Sequence, residues 1–88
     1  MDNKTIKKIL ALAMLTFNDE QYKKITYLIN AKWYNELRVY VEDLLENLEL
    51  RAMLDSDNID LKKEIKLCGQ INDLVTHEYV EHVLVWES

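Results

Sequence analysis

The stretch KWYNELRVYVEDLLENLELRAML, residues 32–54, carries Trp33, Leu37, Val41, Leu44, Leu48 and Ala52 at steps of three and four. That spacing follows the 3.6-residue period of an α-helix over about five turns and predicts a helix across 32–54 with one buried face. Asp55-Ser-Asp-Asn58 comes next, short and polar, with several side chains able to cap the next helix. A connection this short predicts that the flanking helices pack antiparallel.

Downstream, Leu61, Ile65, Cys68, Val75, Tyr79, Val83 and Trp86 repeat the pattern. Gly69 in the middle of that segment and Asn72 on its apolar face predict a kink, or a split into two helices, near 69–72. Residues 79–86 are β-branched and aromatic enough to resemble a strand, but a lone strand has no partner, so a helix is expected there too.

Upstream, Ile6, Ile9, Leu10, Ala13 and Phe17 fall at helical spacing, with Lys4, Lys7 and Lys8 on the other side. Asn18 has the chemistry of an N-cap, Asp19 and Glu20 suit the positive end of a helix, and Gln21 stands at the capping-box position. A second helix is therefore expected from about Asp19, with Tyr22, Ile25, Leu28 and Ile29 inward, ending or bending near Asn30-Ala31. With no Pro and one Gly in 88 residues, the punctuation of hairpins and long loops is nearly absent. The expected fold is a single all-α domain over 1–88, a compact antiparallel bundle of four helices, or of five if the last segment breaks.

Composition narrows the function. Apolar residues make up 49% and charged residues 31%, which suits a packed globule rather than a disordered chain. The single Cys68 closes no intramolecular disulfide, and its place on the apolar stripe reads as a small hydrophobe; a reducing, cytoplasmic setting is expected. Lys4, Lys7 and Lys8 before the apolar run 9–17 resemble part of a signal peptide, but the run is short and Asn18-Asp19-Glu20 comes directly after it. No stretch approaches the roughly 20 apolar residues of a membrane span.

Charge is uneven along the chain, whose formal net charge is −5. Residues 1–32 hold six Lys against three acids; residues 33–60 hold two Arg against eight acids, among them Glu36, Glu42, Asp43, Glu46 and Glu49. The N-terminal lysines, with Tyr22 and Tyr27 for stacking, are the basis for a second reading, a small homodimeric regulator contacting nucleic acid. The acidic balance of the whole chain opposes it.

Catalytic chemistry finds little footing. His77-Glu78-Tyr-Val-Glu81-His82 has metal-ligand residue types, but its two histidines are five apart and splay around a helix, unlike zincin, inverzincin or diiron spacings. A solvated polar face is expected, with no metal and no cofactor. One glycine cannot form a phosphate-binding loop.

What a lone bundle does not account for is a second apolar strip. Val39 and Leu50 project roughly 100° or more from the core line of the third helix, and Leu67, Leu74 and Val85 lie off the line of the last segment. Tyr34 and Tyr40 add residues favoured at binding hot spots, and Glu42, Glu46 and Glu49, with Asn35, line up opposite the core face as an acidic ridge that could meet a partner, a nucleic-acid-binding protein among the candidates. The expected site is a protein-binding or homo-oligomer surface of Tyr34, Val39, Tyr40, Glu42, Glu46, Leu50, Leu67 and Leu74. The expected function is a non-enzymatic binding module, and the small size with a Lys/Asn/Ile-leaning composition suits a bacterial or phage accessory protein that inhibits or modulates its partner.

Overall fold

The computed structural model describes the backbone of residues 3–87 and side chains as far as Glu78. It contains four helices and, among the described residues, no strand: α1 (Asn3–Thr16), α2 (Asp19–Asn30), α3 (Tyr34–Leu54) and α4 (Ile59–Glu87). Each helix packs on two others, α1 on α2 and α4, and α3 on α2 and α4, so the four close around one core. That core joins Ile9 and Ala13 of α1, Ile25, Leu28 and Ile29 of α2, Leu37 and Val41 of α3, and Cys68, Ile71 and Val75 of α4. At 29 residues α4 is the longest element. At 1.5 Å per residue it accounts for the 45 Å long axis of the molecule.

Helix starts follow local chemistry. The Asn18 side chain accepts from the Gln21 backbone N–H at 2.9 Å, and the Gln21 side chain accepts from the Asn18 N–H at 3.2 Å, completing the expected capping box. Ahead of α4, the Asn58 side chain accepts from the Leu61 N–H at 3.0 Å and donates to Asp55 at 3.2 Å, so the polar connection caps the helix it leads into.

Two expectations need correction. The last segment does not split in two: α4 is a single helix through Gly69 to Asn72. A single glycine costs a helix only about 1 kcal/mol, and the buried side chains of Cys68, Ile71 and Val75 on either side hold the turn in register. Ile71, absent from the expected core line, is fully buried between Cys68 and Val75. Asn72, expected on the apolar face, is half-buried, and its buried Oδ1 has no hydrogen-bond partner among the described residues.

The second correction concerns Trp33, expected inside with Leu37. It lies before the first turn of α3 and stays half exposed. The side chains of Tyr79, Val83, Val85 and Trp86, which the sequence spacing also places, lie outside the described residues, as do those of Glu81 and His82.

Candidate functional site

The reason for the position of Trp33 is the way α2 ends. Lys32 has φ 60°, in the left-handed region. Its N–H donates to the Ile29 carbonyl at 3.0 Å, and the Trp33 N–H donates to the Leu28 carbonyl at 3.0 Å. These are the two hydrogen bonds of a Schellman motif, which usually brings the residue after the left-handed one against the last turn of the helix. Trp33 is thereby turned away from the core and back over α2, where its ring meets Tyr27 edge-on at 5.8 Å with an interplanar angle of 88°.

Between α2 and α3 this leaves an open groove of about 460 Å³ lined by Lys24, Tyr27, Leu28, Trp33, Glu36, Val39, Tyr40 and Asp43. Its apolar side chains remain accessible: Tyr27 is 59% exposed, Trp33 50% and Val39 44%. Lys24 holds its ammonium 4.7 Å from the centre of the Tyr40 ring, a cation–π contact across the seam. Burial pushes the Tyr40 hydroxyl pKa up, with a further push from the negative charge of Glu20.

The residues expected to form one surface are divided by the fold. Val39 and Tyr40 line the groove, while Tyr34 is half-buried and packs against the core. Glu46 is exposed on the outward side of α3. Glu42 is engaged by Arg38 at 3.6 Å, and Arg38 also donates to the Asn35 side chain at 3.1 Å. Leu50 is exposed further along α3, towards an apolar tip formed with Met53, Leu54 and Ile59 around the α3–α4 connection. Leu67 and Leu74 are half-buried on α4, and Leu74 packs against the core beside a hollow bordered by Lys8, Gln70 and Asp73. Val39 and Leu74 therefore belong to different seams, α2–α3 and α1–α4.

The groove residues that helical spacing does not single out are Lys24, Tyr27, Leu28, Trp33, Glu36 and Asp43. Spacing puts Leu28 and Trp33 inward, and Tyr27 stands out in the sequence only as a candidate for base stacking. Their convergence depends on the left-handed turn at Lys32. No glycine or asparagine stands at that position to announce it.

Elsewhere, a second hollow of about 410 Å³ at the α1–α2 junction is lined by polar groups including Asn18, Gln21, Asn47, Arg51 and Glu64. His77 is exposed, and Glu78 accepts a hydrogen bond from the Thr5 hydroxyl at 3.2 Å, tying α4 to α1. Among the described residues no group of three or more His, Cys, Asp or Glu side chains is placed to hold a metal ion. Cys68 is fully buried, and desolvation, with a smaller contribution from the charge of Glu49, raises its thiol pKa to about 11. A thiol so raised is a poor nucleophile. No helix among the described residues is long and apolar enough to cross a membrane. No family model matches the chain, and no curated protein or solved structure is significantly similar to it.

Proposed function

We propose that this chain is a non-enzymatic protein-binding module whose contact surface is the α2–α3 groove. The observation that carries the reading is the exposure of Tyr27, Trp33 and Val39 together around one concave seam. Aromatic side chains clustered in a groove are the residue types that dominate binding energy at protein interfaces, because each removes a large apolar area from water at little entropic cost. In this reading α3 and α4 run antiparallel, as the short 55–58 connection and the contact between Val41 and Cys68 support. The rest of the fold serves as a rigid frame that presents the groove.

The small size and acidic balance suit an accessory protein that inhibits or modulates a partner by covering part of its surface. Of the lysines behind the nucleic-acid reading, Lys24 is drawn onto Tyr40 and Lys8 borders the same hollow as Asp73, which favours the protein-binding reading over it.

The test is affinity capture from the organism's own lysate with the wild-type chain, with Trp33→Ala and with Val39→Glu, each checked for folding by circular dichroism. A protein held by the wild type and released by both variants supports the groove as the contact surface. Capture unaffected by either substitution overturns it.

A further inference from the structure

We propose that the α2–α3 groove takes a lysine- or arginine-rich amphipathic segment of a different protein, one bulky apolar side chain of which enters between Trp33 and Val39. The inference rests on the protein-binding reading above and adds the chemistry of the partner. The lining supplies the apolar half of the recognition. Tyr27, Trp33 and Val39 offer accessible apolar surface that burial against another apolar side chain would remove from water.

Charge gives the other half. Glu36 and Asp43 border the groove three residues before and four residues after Val39, and Glu46 continues the line three residues further. On a helix, steps of three and four keep side chains on one side, about 5 Å apart along the axis. The groove is thus edged by carboxylates one turn to either side of Val39, the complement of a segment that carries cations on both sides of an apolar anchor. Lys24, the one cation in the lining, is held against the Tyr40 ring on the α2 side. With Glu36 and Asp43 included, residues 33–60 hold eight acids against two Arg, so the wider field attracts cations as well.

A second copy of this chain is a poorer occupant. At a two-fold interface the same patch meets itself, so Glu36 and Asp43 of one copy would face those of the other, and the net charge of −5 on each chain adds to the repulsion.

A random peptide library displayed on phage, panned against the intact immobilised chain, tests the proposal while the partner is still unidentified. Selected peptides are then synthesised and titrated by Trp33 fluorescence in a Trp86→Phe background. The expected result is enrichment of peptides with net positive charge and at least one bulky apolar residue. Their affinity should fall about tenfold in Val39→Ser, and about two- to fivefold in each of Glu36→Gln and Asp43→Asn, and should weaken with salt. Asp57→Asn, a change in the α3–α4 connection, should leave it unaltered.

Enrichment of acidic or uncharged peptides that still depend on Val39 overturns the cationic partner and leaves the protein-binding reading standing. Cationic peptides indifferent to Val39→Ser, or equally sensitive to Asp57→Asn, overturn the assignment to this groove. A dimer of the wild type that Val39→Ser dissociates overturns it in favour of a second copy. A selection that enriches nothing overturns this inference and the protein-binding reading together.

Discussion

The Cys68 thiol of α4 points at the backbone carbonyl oxygen of Val41 on α3, with 3.9 Å between sulfur and oxygen, in the middle of the core. This contact ties the thiol's protonation to folding. An unfolded chain releases the proton near the ordinary value of 9.0, and the folded chain near 11. Between those values the unfolded state binds fewer protons than the folded one, so stability is whole below about pH 9 and falls as pH rises towards 11. The loss should be on the order of 2 kcal/mol, seen as a falling urea midpoint over that window. Cys68→Ala should flatten most of the slope. A smaller part should remain from Tyr40, whose raised pKa acts in the same direction at higher pH.

Lys32 holds a left-handed conformation that a residue with a β-carbon adopts at a cost. Lys32→Gly should therefore raise stability by about 0.5–1 kcal/mol, after allowing for the greater freedom of glycine in the unfolded chain. Lys32→Val, β-branched, should lower it. Thermal melts of the three proteins, read for the order Gly above Lys above Val, check the turn that sets Trp33 over the groove.

At Gly69 the situation is reversed. The residue lies inside an unbroken helix, and a β-carbon added there meets nothing within 4 Å. Gly69→Ala should stabilise the protein by about 0.5–1 kcal/mol through helix propensity alone. A destabilising result would mean that α4 bends at this point in solution.

Val39 and Val41 stand two residues apart on α3 with opposite surroundings, one 44% exposed and the other fully buried. Val39→Glu should leave the melting temperature within a few degrees of wild type, because surface changes seldom exceed about 0.5 kcal/mol. Val41→Glu should unfold the protein, since an unpaired charge in the core outweighs much of the stability expected of a small domain, about 5 kcal/mol. Circular dichroism melts of the two variants separate the groove from the core. Binding lost in Val39→Glu alone among folded proteins is then a loss of contact.

The all-helical architecture was legible in the residues themselves, because its signals are local. The three- and four-residue spacing of Leu37, Val41, Leu44 and Leu48, the Asn18–Gln21 capping box and the polar 55–58 connection each state a helix, a start or a stop within a few positions. The core role of Cys68 followed from the same period. Gly69 misled for a related reason: propensity is a small local energy, and the packing of Ile71 and Val75 exceeds it.

The groove was not legible, and neither was the separation of Val39 from Leu74. A helical wheel reports the direction of a side chain relative to its own axis and is silent on which neighbour occupies that direction. Whether Val39 faced solvent, a second helix or a seam depended on where α2 lay, and that depended on one left-handed residue, Lys32, whose type carries no preference for the turn it makes. The sequence by itself determined that the chain is all-helical and which residues form most of the buried faces, because period and caps are local. The tertiary structure alone decided that Tyr27, Trp33 and Val39 meet at one open seam, because that meeting is a property of how α2 and α3 are joined and packed.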